Sequence, residues 1–140
     1  MKTIMLYKDN EYTEMMSSIL SRIYNPQESK FKPLFLVGDN LIFGNVLSFE
    51  DDRLTKTEIS ENGSVLFTTA ANVMKTRGEH IDRDVSENDI KKFETVYLYL
   101  DDVTIHSTSG NKTIQIPEFA LRISSIDGIS LGNPEQFKSL

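Results

Sequence analysis

Cysteine is absent from all 140 residues, which excludes disulfides and thiolate chemistry and suits a reducing compartment. Long apolar runs are missing as well. The longest, at residues 34–37 and 96–100, fall far short of the roughly 18 residues that cross a bilayer. The opening MKTIMLYKDNEY returns to charge after a short apolar run and has no small-residue cleavage pattern, so a cytoplasmic protein is expected. There is no surplus of positive charge: 15 basic against 21 acidic residues give a formal net charge of −6 and a pI of about 4.9. Such a surface repels phosphate backbones and anionic lipid, so membranes are excluded as partners and nucleic acid is disfavoured. Glycines are few and scattered, at 38, 44, 63, 78, 110, 128 and 132. They form no GxGxxG or GxxxxGK[ST] phosphate cradle, and no GxSxG nucleophile elbow occurs. No cofactor is expected.

What is present describes one globular domain spanning residues 1–140. Hydrophobic residues at 39% and charged residues at 26% lie near globular averages. Tyr12, Met15, Met16, Ile19, Leu20 and Ile23 recur at the 3,4 spacing of an α-helical stripe, which predicts a helix over about 10–24. Asn25-Pro26 would stop it. The stripe is expected to pack on the protein's own sheet, with a partner-binding face as the alternative. Residues 3–7 extend that helix or form a short strand.

Two strands are predicted at 31–37 and 41–50, joined through Gly38-Asp39-Asn40, whose residues tolerate the positive φ of tight turns. Gly44, inside the second, permits a sharp bend or the close approach of a neighbour. Residues 54–60 and 64–67 read as further strands around a turn at Glu61-Asn62-Gly63, which completes a β region over 31–67. Residues 68–94 read as an insertion: a loop with helical turns, a short helix near 70–75, Gly78 as a breaker and a further turn from Ser86. Over 95–132 the chain returns to strands, divided at Asp101-Asp102, Ser109-Gly110-Asn111 and Pro117, where the strand should end or bulge. The expected fold class is α+β: an N-terminal helix, then a small, strongly bent antiparallel β-barrel with a central insertion.

Candidate chemistry is thin. His80 and His106 are the two histidines, and His80 with Asp82 and Asp84 is the one conceivable hard-metal set, although its spacing fits neither a zinc helix nor a calcium loop. Asp51-Asp52 and Asp101-Asp102 are paired carboxylates of the kind that serve acid–base work, but both stand where aspartate forms turns. Lys75, Arg77, Arg83, Lys91 and Lys92 form the densest basic stretch, interleaved with Glu79, Asp82, Asp84, Glu87 and Asp89 so that no net positive segment results. Tyr97, Tyr99 and Phe119 have the chemistry to stack bases, while cross-strand packing is the commoner use of such residues. The expectation is therefore no enzyme and no metal.

One helix followed by a meander of bent short strands is the order of the Sm-like family, whose barrel resembles the SH3-like one. Gly44-Asn45-Val46-Leu47-Ser48-Phe49-Glu50 resembles the glycine, apolar, aromatic and acid spacing of its first motif, and residues 36–40 are similar to the strand and turn before it. For the second motif, Thr76-Arg77-Gly78-Glu79-His80-Ile81 carries the arginine–glycine pair. Residues 114–123 are the alternative and preferred match, as closing strands that lack that pair. The resemblance implies RNA binding, with Arg77, Arg122, Lys112 and Asn40 as contact residues. Net charge puts this second. The leading expectation is a non-catalytic module that self-associates or binds a protein partner through strand edges and the insertion, because unpaired edges invite β-augmentation.

Overall fold

The computed structural model describes residues 2–23, 30–48, 50–60, 63–84 and 96–138. Its elements are α1 (Lys2–Ile23), β1 (Lys32–Val37), β2 (Asn40–Val46), α2 (Asp52–Thr55), α3 (Val65–Asp84), β3 (Tyr97–Ser107), β4 (Lys112–Arg122), a 3₁₀ turn at Ile123–Ser125, β5 (Gly128–Gly132) and a terminal turn of helix, α4 (Glu135–Lys138). The fold is α+β around one five-stranded antiparallel sheet in the order β4-β3-β2-β1-β5. Within that sheet β4 pairs with β3 alone and β5 with β1 alone, so the sheet is open. None of the described helices is long and apolar enough to cross a membrane.

The β1–β2 hairpin forms as its turn residues dictate. Gly38 holds φ +56°, a backbone setting that costs glycine nothing, and its N–H donates to the Asp127 carboxylate at 2.8 Å. Registers such as Leu34↔Phe43 and Leu36↔Leu41 follow. Between Phe43 and Asn45 the β2–β3 register slips by one residue, because β3 carries an extra residue at Asp102, φ +47°. Gly44 lies opposite this bulge. A Cβ there would stand 3.1 Å from Val103 Cγ2 and 3.2 Å from Leu100 Cβ, so the missing side chain admits the two core residues that flank the bulge.

Pro117 faces the same point from β4: the pairs Asp101↔Glu118 and Val103↔Ile116 bracket it. Ile116 and Phe119 both pack against the main core although three residues apart, which a period-2 strand allows only with an extra residue between them. The expected breaks at Asp101-Asp102 and Pro117 are thus bends inside two continuous strands of 11 residues each, and residues 114–122 belong to one strand. Gly44, Asp102 and Pro117 line up across β2, β3 and β4 at this irregularity.

Two expectations fail between β2 and β3. Residues 54–60 hold no strand: Asp52–Thr55 is a turn of helix capped by Asp51, and Leu54 is buried. Residues 64–67 open α3, which continues through Gly78 to Asp84, so much of the expected loop is a 20-residue helix. The physical reason is twofold. Ser64 caps α3 by accepting the Phe67 N–H at 2.9 Å, and Phe67, Ala70, Ala71 and Met74 fall at i, i+3, i+4 and i+7, one helical face. Phe67 and Ala70 close a second core with Leu47, Leu54, Met74 and Tyr99. The cost of one glycine, about 1 kcal/mol, does not stop a helix anchored in this way. The turn expected from Ser86 and the stop at Asn25-Pro26 lie outside the described residues.

The main core is Phe35, Ile42, Leu98, Leu100, Val103, Leu121 and Ile123. α1 lies beside it, with Glu14, Ser18 and Arg22 bordering Val46 and Leu98. Residues 47 and 99, which α3 meets, alternate with 46 and 98, so the two helices flank opposite faces. Contrary to expectation, α1 does not bury its apolar stripe. Tyr12, Met15, Met16, Ile19 and Ile23 are all exposed, and only Leu20 is half-buried. The inward residue is Ser17, 0% exposed, whose hydroxyl donates to the Thr13 carbonyl at 2.8 Å. Small side chains let the helix lie close to the sheet; the large ones face out.

Candidate functional site

Next to the irregularity at Gly44, Asp102 and Pro117 a polar row crosses four strands. Asn45 on β2 pairs with Asp101 on β3, which pairs with Glu118 on β4. The Asn45 amide donates to Asp101 Oδ1 at 3.0 Å, while its own Oδ1 is buried without a hydrogen-bond partner among the described residues. From β1, Lys32 stretches across β2 to donate to the Asp102 carbonyl at 2.9 Å and to form an ion pair with the Asp102 carboxylate. The lysine braces the bulge.

Arg53, on α2, ties the row to the helical layer. Its Nε and Nη2 each donate to Asp51 at 3.0 Å and its Nη1 donates to Asp101 Oδ2 at 2.5 Å. The guanidinium also stands over the Phe67 ring, 5.8 Å from its centroid. Asp51 serves twice, because its Oδ1 accepts the Arg53 backbone N–H at 2.9 Å as the helix cap. Hydrogen bonds donated by the Arg53 side chain hold the Asp51 carboxyl below its ordinary value, and the same bonds push Arg53 up. On the far side the Ser64 hydroxyl donates to Glu118 while its lone pair caps α3.

Arg53, Ser64, Phe67, Asp101 and Glu118 border a cleft of about 330 Å³, reached by Lys56, Glu58, Ser60 and Pro117 as well. Its chemistry is that of a brace. Both oxygens of Asp101 are occupied, Asp51 is bound bidentately, and Ser64 is engaged as donor and as acceptor. Of the two aspartate pairs read as candidate acid–base groups, Asp51, Asp101 and Asp102 are engaged in structural bonds, and Arg53, whose partner Asp101 lies 48 positions away, carried no motif by which the sequence could announce it. Ser64 did have a signal: a cap residue ahead of the 67/70/71/74 stripe.

The four residues expected to touch RNA fall into two groups. Asn40 and Lys112 flank Ser107 from either side, in one row at the turn end of the sheet. Arg122 pairs with Tyr97 at the other end of β3, ten residues away, about 33 Å along a straight strand. The charge of Arg77, on α3, opposes the upward push that burial and Tyr97 give the Tyr99 hydroxyl. Phe119 packs against the main core. His80, Asp82 and Asp84 sit in the last turns of α3, with side chains outside the described residues. Among the described residues no three metal-ligating side chains cluster. His106 is buried in β3, its Nδ1 3.0 Å from Thr113 Oγ1. No protein-family model, curated protein or solved structure matches the chain.

Proposed function

We propose that this chain is a non-catalytic interaction module: an open, strongly bent barrel of Sm-like order that takes up a protein strand, from a partner or from another copy, along the free edge of β4. One observation carries the reading. β4 is 11 residues long and paired on one side only, and it exposes Ile114 to 56%. Its stretch from Lys112 to Ile116 lies before Pro117, which lacks an N–H and spoils the edge beyond it. Thr113, Ile114, Gln115 and Ile116 carry no charge, and charge is the usual guard of an exposed edge. β5, the opposite edge, has five residues with glycine at both ends, short enough to be a poor template. The aligned irregularities at Gly44, Asp102 and Pro117, and a helix ahead of five antiparallel strands into which α2 and α3 are inserted, support the barrel part of the proposal.

Sedimentation over a range of concentrations, with and without the charge-inserting Ile114→Lys, tests it. Assembly or peptide capture that Ile114→Lys abolishes supports strand addition. A strict monomer with β4 amides that exchange freely in cell extract would sink it.

A second reading, RNA binding, is favoured by one placement: Arg122 opposite Tyr97, with Arg77 beside Tyr99, brings two guanidinium groups to two tyrosines, the pairing that stacks and neutralises single strands. Binding of short RNA that weakens steeply with salt and is lost in Arg122→Ala supports it. No binding at low salt removes it.

A further inference from the structure

Among the described residues nothing covers the apolar stripe of α1. Tyr12 is 66% and Ile23 77% exposed, and Met15, Met16 and Ile19 between them are exposed too. Scattered apolar residues on a surface need no explanation; five large ones on one stripe of one helix do. The stripe has the wrong chemistry for water, and the sheet already has a different face of the helix, that of Thr13, Ser17 and Leu20.

We infer that this stripe is the seam of a homodimer, in which α1 of one copy packs along α1 of a second. Three observations choose that occupant. First, positions 12, 16, 19 and 23 step by 4, 3 and 4, the alternation of a heptad seam, so each helix presents the knobs and the holes that a like helix requires. A self-complementary face of this kind suits a two-fold axis. Second, side chains of this size expose on the order of 100 Å² each, so mutual burial of five from each copy reaches about 1,000 Å², the lower bound for a specific interface. Third, the charge on the helix does not suit a lipid surface. Lys2, Lys8 and Arg22 are balanced by Asp9, Glu11 and Glu14, whereas helices that lie on anionic bilayers carry a basic polar face.

The interface uses neither β4 nor the cleft, so it stands apart from strand addition. The two are separable because Ile114→Lys leaves α1 untouched and Ile19→Asp leaves β4 untouched.

The absence of cysteine makes the test clean. The full chain is followed by sedimentation equilibrium as wild type, Ile19→Asp and Ile114→Lys, with far-UV circular dichroism as the folding control. The wild type should dimerise. Ile19→Asp should raise the dissociation constant at least tenfold with unchanged helix content, and Ile114→Lys should leave it unchanged. Single-cysteine variants at Met16 and Ile19 then read the direction of the pair on oxidation: each links to itself in a parallel pair, and one links to the other in an antiparallel pair, while cysteine at the exposed, remote Thr108 does not link. A wild type that stays monomeric up to its solubility limit overturns the proposal. So does a dimer that Ile19→Asp leaves intact, or a monomer that co-sediments with phosphatidylglycerol vesicles and loses them in Ile19→Asp.

Discussion

α1 and α3 are nearly the same length, 22 and 20 residues, and flank opposite faces of one sheet, yet they use their apolar residues in opposite ways. α3 turns Phe67, Ala70 and Ala71 inward and buries them with Leu54 and Leu47. α1 turns Ser17 and Thr13 inward and leaves Tyr12, Met15, Met16, Ile19 and Ile23 outside. A helical period announces that a face will be covered. It does not say by what. Among the described residues the α1 stripe is left bare, while α3 is tied in by its cap and by a single phenylalanine.

Truncation at the two stripes should separate them most widely. Phe67→Ala removes a side chain that is 1% exposed and touches Tyr99 edge-on at 6.4 Å; the cost should be about 3–5 kcal/mol by urea denaturation. Met15→Ala, on the bare stripe, should stay within about 0.5 kcal/mol when measured below the concentration of self-association. Equal costs would break the contrast.

The anchoring of α3 gives the next effect. Ser64→Ala deletes both the cap to Phe67 and the donor to Glu118, and should cost about 1–2 kcal/mol. Ser64→Asp keeps a cap acceptor but sets it against the Glu118 carboxylate, so it should rescue only part of the loss. Full rescue would show that the contact with β4 adds nothing.

A smaller effect is expected from the Arg53 brace between α2 and the sheet, since Arg53 is 48% exposed on its side chain and such pairs contribute about 1 kcal/mol or less. Its pH dependence is the sharper measurement. Arg53 lowers the Asp51 value in the folded state, so the folded carboxyl titrates below the unfolded one. The stabilisation is therefore complete above the ordinary aspartate value of about 4 and is lost as pH falls through the lowered value. The stability gap between wild type and Arg53→Met should be constant near neutrality and close on acidification below about pH 4; a gap that widens there would refute the assignment.

The smallest effect expected is that of Ile19→Asp on the isolated protomer. A charge placed on an exposed position meets water and should change stability by no more than about 0.5 kcal/mol. A charge placed on a covered face would cost several times that, so a large loss would mean that the stripe packs inside the protomer after all.

Much of the β architecture was legible in the chain because its causes are local. Gly38 supplies the positive φ that the hairpin needs, Val96, Leu98 and Leu100 alternate with Tyr97 and Tyr99, and Pro117 disturbs the strand in which it occurs. The α3 helix was legible in principle and was obscured by β-branched Thr68 and Thr69 next to a turn-like Asn62-Gly63. Other features were not written in any local pattern. Whether Asp101-Asp102 ends a strand or bends one depends on Gly44, more than fifty residues earlier. The brace exists because folding brings Arg53 between Asp51 and Asp101, and Lys32 across to Asp102, 70 positions away. The helical period of α1 is a property of its own sequence, but which face the sheet accepts was decided by tertiary packing, which buries Ser17 and leaves Met15 and Met16 exposed. Propensity, turn geometry and periodicity are short-range and can be read along the chain; burial and ion pairing are settled by whichever element arrives across the sheet.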